Sequence, residues 1–264
     1  MIRRLSEVVA EVRKDPYAAP VTSYGLSLLD SCPNTPGTLI VVGGRTGAGK
    51  SYFGLCLLAE CSTPGAYVSL EDPPNEVARR VEAMPRHRLS EVLLITPRRS
   101  RLSHIAREIE QAFADGHTPR MVVIDYIQLV QYDGETPAWS QTDQIGLTIQ
   151  ELKAVARERG FVLVVLCQLR RPNRDEADHF PTLWDLRDSS NLENSAEVVV
   201  LLRAHEDQRL EARVAKNKSG ATGGTAFFKR GSCGFLTPIT PVVDQEIFGQ
   251  PSAPVYDLFD EAAA

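Results

Sequence analysis

Residues 38–51 read Thr-Leu-Ile-Val-Val-Gly-Gly-Arg-Thr-Gly-Ala-Gly-Lys-Ser, and no other segment constrains the fold as much. Five β-compatible residues, 38–42, lead into Gly44-x4-Gly49-Lys50-Ser51, the complete P-loop spacing. Such a loop needs a buried strand before it and a helix after it, and residues 51–61 supply a helix-compatible run. Gly44, Gly47 and Gly49 let backbone N–H groups approach phosphates closely. Lys50 is expected to reach the β- and γ-phosphates, and Ser51 to hold Mg²⁺ through its hydroxyl. Arg45, Thr46, Ala48 and Tyr52 complete the stretch expected to line the nucleotide.

The chain has 264 residues, 43% of them hydrophobic, which suits one large α/β domain or two small ones. Its 29 basic and 34 acidic residues give a formal charge of −5. That excludes a uniformly basic coat for nucleic acid but leaves room for a local basic channel. The five cysteines, Cys32, Cys56, Cys61, Cys167 and Cys233, are odd in number and include no CxxC pair. They read as buried thiols of a reducing compartment rather than a disulfide framework. No run of 18 apolar residues suggests a membrane span, and residues 1–15 lack the apolar core of a signal peptide. A cytoplasmic setting, prokaryotic, plasmid or phage-like, fits these features.

Short apolar strands alternate with helical patterns along most of the chain. Strands are expected at 38–42, 65–70, 92–95, 121–124 and 161–166, and helices at 51–61, 75–83, 102–114 and 144–160. This alternation predicts a mostly parallel sheet covered on both faces. Three more closely spaced strands, at 196–202, 210–215 and 224–229, predict an antiparallel extension. Residues 1–17 carry a short amphipathic helix that must dock on its own domain or on a neighbouring subunit. Residues 18–236 form the main domain. Residues 237–264, with four prolines, no Lys or Arg and an acidic end, read as a tail or an edge wrap.

Three strand ends offer chemistry at the edge where open α/β sheets bind ligands. Asp125 follows Met-Val-Val-Ile and is the expected second holder of Mg²⁺, or else an Asp that starts a turn. Glu71 follows Val68-Ser-Leu and can polarise an attacking water, or is a solvated turn residue beside Asp72 and Pro73. Gln168 ends a strand expected to neighbour that of Asp125. Its neutral amide can sense a γ-phosphate, or it is a solvated strand end.

Together these segments resemble the C-terminal ATPase domain of the DnaB-type replicative helicases, within the RecA-like superfamily of P-loop NTPases. The resemblance runs from about Val21 to Phe235. It rests on residues 38–51, Ser69-Leu-Glu-Asp72, Asp125-Tyr-Ile-Gln-Leu129, Cys167-Gln-Leu-Arg170, Asp185-Leu-Arg-Asp-Ser-Ser-Asn-Leu-Glu193 and Ala215-Lys-Asn-Lys-Ser-Gly220. It implies ATP and Mg²⁺ as cofactors, Glu71 as catalytic base, and a ring of six with nucleotide between subunits. It also implies 5′–3′ unwinding, single-stranded DNA as partner, and a loader, primase or other replication protein as a further one.

The departures fall in the last motifs. Lys218 stands where the family places an arginine finger, and Lys216 precedes it by two residues. The Lys-x-Lys pair is similar to that of the RecA-related strand-exchange proteins; a solvated strand face is the plainer reading. Ser190 replaces the family glycine, and Ser195 and Glu197 replace two aspartates. In a closed ring, Lys216 and Lys218 of one chain would face the P-loop of the next.

Two segments are candidates for contact with nucleic acid, 131–141 and 170–184. The second carries Arg170, Arg171 and Arg174 beside Asp175, Glu176 and Asp178. Such mixed charge suits backbone tracking repeated around a ring, or only a solvated surface loop. The leading expectation is an ATP-driven, ring-forming motor on single-stranded DNA, a replicative helicase. The alternatives are a RecA-like recombination or annealing ATPase that forms filaments, and a nucleotide-gated loading or scaffold protein.

Overall fold

Leu39 and Val41 face one side of the sheet, Ile40 and Val42 the other, and all four are fully buried. The pleat forces this alternation, and a strand covered on both faces must be apolar at every position. The computed structural model describes residues 24–61, 63–82, 84, 89–134, 140–170, 179–231 and 236–239. The docking helix expected at 1–17, most of the expected tail, Arg171, Arg174 and parts of both candidate loops lie outside these residues.

The described residues form a nine-stranded sheet in the order β3-β2-β4-β5-β1-β6-β7-β8-β9. Its parallel part comprises β1 (Leu39–Gly44), β2 (Gly65–Ser69), β3 (Leu93–Ile95), β4 (Met121–Asp125), β5 (Val162–Gln168) and β6 (Val198–Ala204). Antiparallel β7 (Arg209–Asn217), β8 (Thr225–Arg230) and β9 (Leu236–Ile239) extend it. β4 and β5 lie between β1 and β2, so the carboxyl ends of β1, β2, β4 and β5 share one edge.

Helix α1 (Lys50–Glu60) lies on one face, with Phe53 packed edge-on against Phe228 at 5.8 Å between centroids. Helix α2 (Pro74–Glu82) follows β2 and begins on a proline, the position where a missing N–H costs least. Helices α3 (Leu102–Ala114) and α4 (Gln141–Arg159) cover the other face. Ile145, Ile149, Leu152 and Ala156 form the inward stripe of α4. A capping box of Ser140 and Asp143 starts α4 three residues before the expected 144, and Gly160 (φ 79°) ends it in the left-handed region.

Two elements differ from expectation. The turn Leu183–Ser189 continues into a short helix, α5 (Ser190–Ser195), where no regular element was expected. β9 carries the sheet three residues past the expected boundary at 236. Pro238 obscured that strand, yet proline is tolerated here because β9 is an edge strand.

Glu197 ties the sheet together at the end away from the P-loop. It accepts the Leu39 N–H at 2.8 Å and the Lys153 ammonium at 2.9 Å, and Lys218 lies 3.4 Å away. Burial opposes ionisation of this carboxyl, but the Lys153 and Leu39 hydrogen bonds and both lysine charges together hold its pKa below the usual range. A depressed carboxylate contributes stability above its unfolded pKa and loses it as pH falls through the folded value. Glu197→Ala is therefore expected to cost about 2–3 kcal/mol at neutral pH. In denaturant titrations the gap to wild type should narrow in acid; a gap independent of pH would contradict the ionic role.

Candidate nucleotide site and a separate lysine pair

The P-loop takes its shape from two left-handed glycines, Gly47 (φ 75°) and Gly49 (φ 91°). At Gly44 a β-carbon would sit 3.0 Å from the Lys50 side chain, so the glycine leaves that side chain its path. Lys50 Nζ donates to the carbonyls of Gly44 and Arg45 at 3.1 and 3.2 Å. Burial lowers its pKa, against the opposing pull of Asp125, Cys167 and Glu71. A partly desolvated ammonium held in the mouth of the loop is a strong partner for phosphate.

Ser51 and Asp125 meet at one oxygen. The Tyr67 hydroxyl donates to Asp125 Oδ2 at 2.5 Å and is also hydrogen-bonded to Ser51. Asp125 is 2% exposed at the end of β4, and the Asp125–Tyr126 peptide is cis. A serine hydroxyl and a carboxylate brought this close form the start of an all-oxygen shell, the kind Mg²⁺ takes up and completes with phosphate and water. Among the described residues no cluster of three or more His, Cys, Asp or Glu forms a self-sufficient metal site. The hydroxyl of Ser51 and the Asp125 carboxylate, joined through Tyr67, fit an ion that takes its remaining oxygen ligands from elsewhere.

Glu71 lies just past β2, exposed, in the electrostatic field of both Asp125 and Lys50. Its turn is fixed by Ser69 Oγ, which donates to the Asp72 carbonyl at 2.7 Å, and by the Arg80–Asp72 pair at 2.5 Å. Partial burial, then Asp125 and Asp72, raise the Glu71 pKa; Lys50 and Arg80 only partly offset them. A raised pKa makes this carboxylate a better proton acceptor.

β4 and β5 are neighbours, as expected from their sequences. Gln168 at the end of β5 donates its side-chain amide to Thr46 Oγ1 of the P-loop at 3.0 Å. Arg170, two residues on, pairs with Asp185 through Nε at 3.3 Å. A cavity of about 530 Å³ opens on the Thr46 flank of the loop, bounded by Arg45, Gly47, Pro181, Arg203 and Arg209.

Lys216 and Lys218 lie elsewhere. Lys216 pairs in register with Val199 on β6, and the Lys218 N–H bonds the Glu197 carbonyl. That is the amino end of β1, so most of the length of β1, roughly 10–16 Å at ~3.3 Å per residue, separates both lysines from their own P-loop. Lys216 Nζ donates to the Glu193 carbonyl at 2.5 Å, and burial followed by the Lys218 charge lowers its pKa. Lys218 is 44% exposed.

Four residues at the site escaped the sequence reading. Tyr67 and Gln128 sit inside segments that were recognised, but only packing reveals what they touch. Arg80 and Arg230 both lie against the Tyr52 ring, 5.7 and 5.8 Å from its centroid, and Arg230 also donates to the Gly47 carbonyl at 3.2 Å. No local pattern marks either arginine.

Residues 88–233, more than half of the chain, match the family described as DnaB-like helicase C terminal domain. The P-loop and Glu71 precede that match. The replicative DNA helicase DnaB of Mycoplasma genitalium is 23% identical over 80% of this chain and 54% of its own length. That of Leifsonia xyli subsp. xyli is 27% identical over 83% and 56%. The chain thus spans about half the length of these curated relatives. Among solved structures, a DnaB-like replicative helicase, described together with its interactions with primase, superposes with a TM-score of 0.69 at 20% identity. It covers 89% of this chain and 67% of its own. A solved ATPase domain superposes with a TM-score of 0.72 at 22% identity, covering 89% of this chain and 97% of that one. These likenesses establish the fold. By the family match, the chain belongs to the DnaB-like helicase C-terminal domain family.

Proposed function

We propose that this chain is the ATP-hydrolysing motor of a DNA helicase, working as a ring of six on single-stranded DNA with nucleotide held between subunits. The observation that carries the reading is a division of the site. Lys50, Ser51, Asp125, Glu71 and Gln168 gather at one edge of the sheet, while Lys216, bonded to the Glu193 carbonyl, and the exposed Lys218 lie back along it toward the amino end of β1. An incomplete half-site and a detached pair of cations are what a nucleotide shared by adjacent protomers requires.

In this reading the P-loop N–H groups and Lys50 bind the triphosphate. Ser51 and Asp125 would hold Mg²⁺, which would supply positive charge to the triphosphate. Glu71 orients the attacking water and takes its proton. Lys218 of the adjacent subunit, with Lys216 beside it, offsets the charge that develops on the γ-phosphate. Gln168 registers whether that phosphate is present and passes its position to Arg170. Trp184, 70% exposed beside the Arg170–Asp185 pair, adds an aromatic face on which a base can stack. The segments at 1–17 and 240–264 are proposed as a subunit-docking helix and a tail around a motor domain that runs from 18 through β9.

The test is ATP turnover and strand separation on forked DNA, combined with mass measurement of the assembly. Closed hexamers with DNA-stimulated turnover and unwinding are expected. Filaments would favour a recombination ATPase, and turnover indifferent to DNA without unwinding would contradict the motor.

A further inference from the structure

β4 and β5 pair only as far as Ile124 and Val165. Beyond that point the two strands part, one toward Asp125 and the other toward Gln168. The register with β4 therefore ends before it reaches the Gln168 peptide. Gln128, in the short turn Ile127–Leu129 after Asp125, fills that place. Its Nε2 donates to the Gln168 carbonyl at 2.8 Å, and its Oε1 accepts the Gln168 N–H at 3.2 Å. The same Nε2 lies 3.1 Å from Cys167 Sγ.

On the other side of β5, Leu169 N–H donates to the Gly44 carbonyl at 3.1 Å, and Arg170 N–H to the Asp185 carbonyl at 3.3 Å. The backbone of 168–170 is thus held from both flanks, and the Gln168 side chain projects from it to Thr46 at 3.0 Å. A carboxamide suits the clamp because it presents one donor and one acceptor side by side, as a peptide does, without adding charge beside Lys50 and Asp125. Glutamate keeps the acceptor and loses the donor; methionine keeps the volume and loses both.

We propose that Gln128 is a positioning residue that aims Gln168 at the P-loop and ties the Asp125 turn, Gln168 and the start of the basic loop into one moving unit. The inference rests on the nucleotide reading above. Its consequence is that a shift at the phosphate end passes to Arg170 and Asp185 instead of dissipating in a loose strand end.

The test uses the full chain with Gln128→Met, Gln128→Glu, Gln168→Ala and the Gln128→Met/Gln168→Ala double variant. Readouts are kcat and KM for ATP, the stimulation of kcat by oligo(dT), and the thermal unfolding midpoint. Gln128→Met is expected to lower kcat about tenfold, the effect of losing one or two positioning hydrogen bonds, with KM and the midpoint nearly unchanged and most DNA stimulation lost. Gln128→Glu should behave likewise. In the Gln168→Ala background Gln128→Met should add nothing, because it acts through Gln168. Wild-type kcat and stimulation in Gln128→Met, or additive losses in the double variant, would overturn the inference while wild-type ATP turnover left the proposed function standing. Absence of ATP turnover in the wild type would remove both.

Discussion

Glu71→Gln is expected to bind ATP with near wild-type affinity and to hydrolyse it roughly 10²–10⁴-fold more slowly, the usual contribution of a positioned general base. The amide preserves size and removes only the proton acceptor. Lys50, Ser51 and Asp125, which would hold the triphosphate and its ion, are untouched. The turn that carries Glu71 is anchored independently by Ser69 and by the Arg80–Asp72 pair. Equilibrium titration with a fluorescent ATP analogue and steady-state turnover check the two halves of this expectation. Equal turnover in the variant and wild type would remove Glu71 from the chemistry.

The same residue sets a pH dependence. The base acts deprotonated, and its pKa is raised by partial burial and by Asp125 and Asp72. The acid limb of the kcat profile should therefore lie above the range of an ordinary glutamate, with turnover lost as pH falls through it. In Glu71→Gln the residual rate should show no such limb.

Lys218→Ala is expected to bind nucleotide normally and to lose turnover by up to about 10³-fold, the lower end of what a cation delivered in trans contributes. The lower end is appropriate because lysine is a point charge without the planar fork of arginine. Its own P-loop lies far along the sheet, so folding of the nucleotide site does not depend on it. Glu197 restrains it at 3.4 Å, and Lys216 sits beside it, so the double Lys216→Ala/Lys218→Ala variant should be the more severe. Unimpaired turnover in the double variant, measured in assemblies of confirmed size, would exclude both lysines from catalysis.

What could be read in advance was local. Gly44, Gly49, Lys50 and Ser51 declare a P-loop because phosphate binding by backbone N–H groups demands that spacing. Asp125 and Gln168 were legible because each ends a strand so apolar that it had to be buried. The Ser140–Asp143 capping box is present in the sequence, but the apolar stripe that marks the helix starts only later, at Ile145. Tyr67 and Gln128 were not legible, since each matters through a partner 58 or 40 positions away. Arg230 reaches the P-loop only because β8 lies beside β7, and Leu210 of β7 packs close to Gly49. The proline in β9 counts against a strand until its place at the sheet edge is known.

Mixing Glu71→Gln subunits with Lys218→Ala subunits tests the shared site most directly. Each variant alone is impaired at every interface. In a ring mixed at random from equal amounts of the two variants, about one quarter of interfaces pair an intact Glu71 with an intact Lys218 from the neighbour. ATP turnover should then recover to about that fraction of wild type, though neither parent exceeds its residual rate. No recovery in mixed rings of verified composition would contradict a site completed by the adjacent protomer.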